Sequence, residues 1–137
     1  MSNFESVPEQ ERRDKYDNIL PDALTSQPAI FRIFSMWKTY ALDGNDFKNI
    51  GRVGSTPTGQ YAPAFTRENG AIEKSMFTDV NDSMAYITGP NARIERLEPM
   101  RFKVNGQDTW ILKIELPIIN RRLNEVVGTV GGYCDIR

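Results

Sequence analysis

Histidine is absent from this chain of 137 residues, and cysteine occurs once, as Cys134. Without histidine the sequence lacks the usual general base, the commonest metal ligand and the side chain that titrates nearest to neutral pH. A lone cysteine permits no disulfide bond within the chain. The sequence also has no nucleophile elbow, phosphate-binding loop or dinucleotide-binding fingerprint. These absences predict a protein that is not an enzyme, with no catalytic residues, no metal and no cofactor.

Charge and hydropathy disfavour two further classes. The net charge is −1, so nucleic acid, which binds clustered basic surfaces, is not an expected partner. No apolar run approaches the ~18 residues that a membrane helix needs, and no secretory signal peptide opens the chain. The composition, 39% hydrophobic and 26% charged, is typical of a soluble globular protein. The length predicts one domain, residues 1–137, with a single core.

The N-terminal segment has the pattern of an amphipathic helix over residues 6–25. Ser6 and Glu9 are spaced as a capping box, in which the serine side chain accepts from an early amide and the glutamate reaches back to the cap. Pro21 is expected to kink or interrupt this helix, and residues 26–28 are expected to end it. The apolar stripe consists of residues at helical spacing, namely Tyr16, Ile19, Leu20, Ala23 and Leu24.

Residues 30–136 have the character of a sheet interrupted by one short helix. Residues 30–40 are β-rich and apolar on both faces, which predicts a central strand. Two more strands, 60–67 and 72–77, flank an Asn-Gly turn. Residues 80–87 form a predicted helix that Asp79 caps and a Gly-Pro pair ends.

The C-terminal stretch predicts a hairpin. Trp110, Leu112, Ile114 and Leu116 alternate with charged residues, the pattern of a strand with one buried face. After a polar turn, residues 126–135 form a β-branched strand with three glycines, which leave room for another backbone or a ligand. Asp135 is the last residue of this predicted strand.

The preceding Asn105-Gly106 turn admits two registers. A two-residue turn would place Trp110 beside Arg101 and divide the apolar side chains between the faces. A three-residue loop would pair Phe102 with Trp110 and bring the apolar side chains to one face. The hydrophobic pattern favours the longer loop.

Four segments in order resemble the extracytoplasmic Cache sensor domains, especially the membrane-distal module of double-Cache chemoreceptors. The resemblance covers roughly residues 12–136 and implies an α+β, PAS-like fold: a five- or six-stranded antiparallel sheet with an N-terminal helix and a short helix packed on it. The segments are WKTYALDGND (37–46), TGQYAPAFTR (58–67), the Glu-Pro-Met and Asn-Gly steps of 98–106, and the closing hairpin with Pro117-Ile118 and VGTVGGYCDI (127–136).

This resemblance implies an extracytoplasmic, periplasmic or cell-surface sensor module. It would bind a small molecule and signal to a cytoplasmic output domain outside this chain, in a chemoreceptor or, less often, a histidine kinase or diguanylate cyclase. The family is normally anchored in the membrane, so we expect an excised module of a membrane-anchored parent, with a natural stand-alone version as the alternative. The alternative is a structural or interaction module with a degenerate pocket, which senses through a partner or forms a homodimer along the N-terminal helix.

Six residues are candidates for the ligand site: aromatic wall residues and two polar anchors. Each aromatic residue could instead belong to the core, the arginine could be a solvated strand residue, and the aspartate could cap a neighbouring turn. In resembling amino-acid sensors the aspartate receives the ligand's ammonium group. The family's carboxylate-binding arginine is missing at residues 62–65 and its Tyr-Xaa-Asp element at 100–102, so a different small polar or aromatic ligand is expected. The candidates are Tyr61, Phe65, Tyr86, Trp110, Arg67 and Asp135.

Overall fold

The computed structural model describes residues 4–136. It shows the expected α+β architecture, with one long helix, one short helix and a six-stranded sheet. In chain order the elements are a 3-10 turn (Phe4–Ser6), α1 (Glu9–Ser26), β1 (Ile30–Trp37), a second 3-10 turn (Asp46–Asn49), β2 (Pro63–Glu68), β3 (Ala71–Met76), α2 (Val80–Thr88), β4 (Arg96–Val104), β5 (Gln107–Asn120) and β6 (Glu125–Asp135).

The sheet has the strand order β3-β2-β1-β6-β5-β4, and every neighbouring pair is antiparallel. The predicted central strand therefore lies in the middle, between β2 and the C-terminal strand β6. The glycines of β6 allow close packing there. A Cβ atom on Gly131 would lie 2.3 Å from the carbonyl oxygen of Ile114 and 2.5 Å from the ring of Phe34, which is much closer than real side chains approach.

The helices pack on opposite faces of the sheet. Leu20 and Leu24 of α1 pack against Phe65 of β2, on the side that we call the α1 face. Tyr86 of α2 joins the cluster that contains Phe34 of β1, on the side that we call the α2 face. Because α1 lies mainly over β1 and β2, the outer part of β4 and β5 on the α1 face stays exposed.

The predicted start of the first helix is wrong. The helix begins at Glu9, with Pro8 as its capping residue and no side-chain cap, whereas Ser6 belongs to the preceding 3-10 turn. Glu9 is thus the first helical residue, too early to act as the fourth member of a capping box. The helix also continues through Pro21 to Ser26 without a break. Asp79 precedes α2 as expected, but its side chain makes no capping hydrogen bond to that helix.

The predicted register of the β4–β5 hairpin is also wrong. Asn105 and Gly106 both have positive φ and form a two-residue turn, so Val104 pairs with Gln107 and Arg101 pairs with Trp110. This is the turn that an Asn-Gly pair prefers in hairpins. The hydrophobic argument failed because α1 does not cover this part of the sheet: Trp110 is 53% exposed, and the Arg101 guanidinium lies 5.6 Å from its ring.

Candidate functional site

Charged side chains are buried on the α2 face, where the sequence pattern predicted outward-facing ones. Lys113 and Glu115 of β5 are 2% and 0% exposed. Arg96 of β4 and Asp82 of α2 complete the group, with Arg96 Nη2 2.7 Å from Asp82 and Lys113 Nζ 3.5 Å from it. Ser83 donates a hydrogen bond of 2.6 Å to Glu115. Two cations and two anions therefore balance one another beneath α2, and this pairing makes their burial possible.

The same cluster fills the space between the sheet and α2. The ammonium nitrogen of Lys113 lies 5.4 Å from the rings of both Phe34 and Phe77, which stack at 4.1 Å. Burial opposes ionisation of Asp82, but the hydrogen bond and charge of Arg96 outweigh it and lower the pKa of Asp82 below its ordinary value. A ligand that entered here would have to displace Lys113 or α2.

A second polar feature of the α2 face is open to solvent. It is a cleft of about 200 Å³ between the hairpin of β2 and β3 and the strand β4, which we call the Arg32 cleft. Arg32, 8% exposed, lies at its base. Its Nη1 donates to the Thr66 hydroxyl at 2.8 Å, and its guanidinium carbon lies 5.2 Å from the ring of Phe102 and 5.5 Å from that of Tyr133.

The Arg32 guanidinium is incompletely satisfied. Within residues 4–136, its buried Nε has no hydrogen-bond partner. Burial lowers the pKa of Arg32, against the opposing influence of Tyr133 and of the more distant carboxylates of Asp79 and Glu68. Burial likewise raises the pKa of Tyr133 to about 12, although the Arg32 charge opposes this. Arg32 is thus a buried cation beside neutral partners, and its buried Nε–H has no acceptor among residues 4–136.

Two of the predicted site residues belong to the α1 face. Tyr61 is buried, and its hydroxyl donates a hydrogen bond of 2.7 Å to Asp17 of α1. Burial raises its pKa far above the ordinary value, and Asp17 adds to the effect. Phe65 is buried against Leu20 and Leu24. Both side chains hold α1 on the sheet.

The other four predicted residues are dispersed. Tyr86 on α2 donates to the carbonyl oxygen of Ile94 and lies on an open groove of about 520 Å³. Arg67 donates hydrogen bonds to the carbonyl oxygen of Leu24, near the end of α1, and to that of Ile30, at the start of β1. Trp110 is on the outer surface. Asp135 is exposed at the end of β6, opposite Ile111. The structure therefore does not gather the six residues into one pocket, and a ligand contact by any one of them stays a prediction.

Sequence reasoning missed Arg32, Lys113 and Glu115. Arg32 had a usable signal, because it is the one charged residue in the otherwise apolar strand IFRIFSMW and a charged side chain in a central strand needs buried partners. Lys113 and Glu115 had no such signal in the sequence. A strand that alternates apolar and charged residues predicts that the apolar side chains are buried and the charged ones exposed.

A third buried group lies beside α1. Arg13 is paired with Asp43 at 3.2 Å and Asp46 at 3.1 Å, and it donates to the Gly59 carbonyl oxygen at 2.9 Å. Burial raises the pKa of Asp46, although Tyr40 and Arg13 oppose this. Its donors and acceptors are matched, so this group ties α1 to the loops between β1 and β2.

Comparison with solved structures shows what the fold is like. The extracellular domain of mmHK1S-Z3, described as a histidine kinase, aligns with 97% of this chain at a TM-score of 0.74 and 21% identity. Methyl-accepting chemotaxis protein X aligns with 90% of this chain at a TM-score of 0.70 and 21% identity. The periplasmic sensory domain of the Campylobacter jejuni chemoreceptor Tlp1 aligns with 97% of this chain at a TM-score of 0.63 and 17% identity. The chain has the fold of extracytoplasmic sensor domains, as the Cache resemblance implied.

The chain spans about half the length of these structures, namely 48%, 46% and 50% of the three. No protein-family model matches the sequence, and neither does any curated protein. Across the part of the chain that the structure describes, no helix is long and apolar enough to cross a membrane. The same residues contain no group of three or more histidine, cysteine, aspartate or glutamate side chains that could hold a metal ion.

Proposed function

We propose that this chain is an extracytoplasmic sensor module of a membrane-anchored receptor, and that it binds a small molecule on the α2 face. The observation that carries the proposal is the incompletely satisfied Arg32 at the base of an open cleft, in a fold shared with sensor domains. The receptor would be a chemoreceptor or a histidine kinase, with its output domain outside this chain. We propose no enzymatic activity.

The contacts around Arg32 offer a route from the cleft to α1. Arg32 and Ile33 are neighbours on β1, and Ile33 packs into the cluster that holds α1. On β2, Thr66 accepts the Arg32 hydrogen bond, while its neighbour Arg67 donates to the carbonyl oxygen of Leu24 near the end of α1. A ligand that moved Arg32 would therefore move two strands that support α1, which makes α1 the proposed output element.

A thermal-shift screen of small metabolites tests the ligand-binding role. A ligand at one hundred times its dissociation constant should add about 2.7 kcal/mol to the free energy of unfolding. For a domain of this size, that raises the melting temperature by very roughly 8–15 °C. The proposal expects at least one compound with a saturable, concentration-dependent shift. Asp135→Asn, measured in the same screen, tests the sequence-based prediction that this carboxylate contacts the ligand: loss of the shift would support that contact, and a shift that persists would overturn it.

The second candidate function is an interaction module that senses through a partner protein or by dimerisation. The filled space beneath α2 and the exposed side chains of Trp110, Leu116 and Leu97 favour it. A dimer along α1 would use the outer side of that helix, where Glu11, Asp14 and other polar residues are exposed. Sedimentation over a wide concentration range tests this candidate: self-association together with a screen that finds no ligand would favour it over the sensor proposal.

A further inference from the structure

We propose that the exposed part of the sheet on the α1 face is an interface between two copies of this chain, which pack there sheet against sheet. We call this surface the apolar face. It is formed by alternate residues of three neighbouring strands, β4, β5 and β6. This inference goes beyond the proposed ligand binding and does not depend on it. The residues are Leu97, Trp110, Leu112, Ile114, Leu116 and Cys134.

The first argument comes from β5, whose apolar residues face solvent while its charged residues are buried. Trp110 and Leu116 are 53% and 44% exposed, whereas Lys113 and Glu115, on the opposite side of the same strand, are 2% and 0% exposed. A strand with one buried face normally buries its apolar residues. The packing within this chain therefore does not account for the apolar pattern of residues 110–116. Exposed apolar patches of this kind mark interaction sites in soluble proteins.

The second argument is that the exposed apolar side chains form one continuous surface. Leu97 of β4, which is 57% exposed, pairs with Ile114 of β5, and Leu112 of β5 pairs with Cys134 of β6. Side chains directly opposite each other on neighbouring strands are close enough to touch. On its other side the surface ends at α1, whose cluster includes Val130 of β6. The apolar face is thus a single patch that extends over three strands.

The third argument concerns the size and shape of the patch. With strands about 4.8 Å apart and a rise of about 3.3 Å per residue, three strands over the length of residues 110–116 make a flat surface of roughly 300 Å². Flat sheet faces pack on one another in β-sandwiches, so a second sheet fits this surface. A standard interface covers about 800 Å² on each partner, which makes this dimer a weak one. In the proposed membrane-anchored receptor, two copies held close together would have a raised effective concentration, so a weak contact suffices.

The fourth argument is charge, which favours a second copy in an antiparallel arrangement. Arg101 and Lys103 are exposed near the end of β4, and Glu95 is exposed just before its start. When two copies stack with their β4 strands antiparallel, the basic end of one strand lies over the acidic start of the other. A parallel stack would instead bring the two basic ends together. Complementary charges at the two ends of the patch therefore match a second copy of the same patch.

The test is sedimentation velocity of the whole chain from micromolar to millimolar concentration, with tryptophan fluorescence recorded over the same range. Trp37, the other tryptophan, is 0% exposed, so a concentration-dependent change in emission reports on Trp110. We expect a reversible monomer–dimer equilibrium and an emission that moves to shorter wavelength as the dimer forms. A chain that stays monomeric up to millimolar concentration would overturn the proposal, and so would a dimer that leaves the emission unchanged.

Three variants locate the interface. Trp110→Ala removes the largest side chain of the apolar face, and we expect dimerisation to weaken at least about tenfold. Phe47→Ala is the matched control, because Phe47 is an aromatic residue with 58% exposure in the loop between β1 and β2, and its dimerisation should be unchanged. Equal dimerisation in wild type and Trp110→Ala would overturn the assignment, and so would an equal loss in both variants. Ile19→Glu tests the exposed side of α1: a dimer lost in this variant and retained in Trp110→Ala would lie along α1 and contradict the proposal.

Cys134 provides an independent measurement of the same interface. It is the single cysteine of the chain and is half-buried on the apolar face, opposite Leu112. Its reaction with a thiol reagent should slow as the wild-type concentration rises, and this slowing should be lost in Trp110→Ala. A wild-type rate that is independent of concentration would overturn the interface. A monomeric chain that still binds a metabolite would overturn the interface and leave the sensor proposal standing.

Discussion

Arg13 and Arg32 are both buried arginines, but they lie on opposite sides of the sheet and have different partners. Arg13, on the side of α1, meets two carboxylates and a backbone carbonyl oxygen. Arg32, on the α2 face, meets a hydroxyl group and two aromatic rings. The two buried side-chain atoms without a partner among the described residues, Arg32 Nε and Thr129 Oγ1, are both on strands whose side chains at these positions point to the α2 face.

This difference separates a structural region from a candidate binding region. On the α1 side the Arg13 cluster has its donors and acceptors matched among the described residues, so it holds α1 in place without a partner from solution. On the α2 side two buried polar atoms of the described residues have no hydrogen-bond partner, and each such atom calls for an explanation, such as a bound water, a ligand or a functional role. In the proposed sensor, the α2 side would therefore detect the ligand and the α1 side would respond.

The largest effect should come from breaking the Arg13 cluster. Arg13→Met leaves Asp43 and Asp46 buried without their cation, so we expect a loss of about 3–5 kcal/mol in the free energy of unfolding. Denaturant unfolding measures it. Arg52→Met is the matched control, since Arg52 pairs with Asp14 and Asp17 at a more exposed position and should cost about 0–1 kcal/mol. Equal losses in the two variants would contradict the structural role of the buried cluster.

A smaller effect should come from the central glycine of β6. Gly131→Ala places a methyl group against the Ile114 carbonyl oxygen and the Phe34 ring, and such overpacking typically costs about 1–3 kcal/mol. Gly132→Ala is the control on the same strand, because a Cβ atom there would lie 3.0 Å from the Cγ2 methyl group of Ile30 and 3.3 Å from the Arg32 carbonyl oxygen, contacts that are much less severe. The expectation is that thermal unfolding ranks Gly131→Ala as the less stable variant; the reverse order would show that β6 lies differently between β1 and β5.

The smallest predicted effect is a pH dependence at the polar cluster beneath α2. The pKa of Asp82 is lower in the folded chain than its ordinary value of about 3.8, so its carboxylate stabilises the fold above that value. This stabilisation is lost as the pH falls through the folded pKa. The difference in stability between wild type and Asp82→Asn should therefore shrink on acidification below about pH 4. A difference that grows instead would mean that the Arg96 contact does not form in solution.

The elements could be predicted from sequence where the local pattern agrees with the final packing. The apolar residues of β1 correctly predicted a central strand. The helical spacing of Leu20 and Leu24 predicted their burial, and the glycines of β6 predicted the close approach of neighbouring groups. The register of β4 and β5 could not be predicted in this way. Trp110 is exposed because α1 lies elsewhere, and no local pattern in β5 contains that information.

The candidate site was harder to predict because its residues become partners only in the folded chain. Lys113 and Glu115 are buried because Arg96 and Asp82 come from β4 and α2 to pair with them. Arg32 was accessible to sequence reasoning, since a charged residue within an apolar central strand requires an explanation. The lack of a partner for its Nε, which makes Arg32 a candidate functional residue, depends on the side-chain geometry of several strands.

The most direct test of this account compares two variants with the compound that gives the largest shift in the thermal screen. Arg32→Met removes the guanidinium at the base of the Arg32 cleft on the α2 face, whereas Tyr61→Phe removes only the hydroxyl that donates to Asp17 on the α1 side. The account predicts that the ligand-induced rise in melting temperature disappears in Arg32→Met and persists in Tyr61→Phe. A rise that persists in Arg32→Met and disappears in Tyr61→Phe would place the ligand on the α1 side and contradict the account.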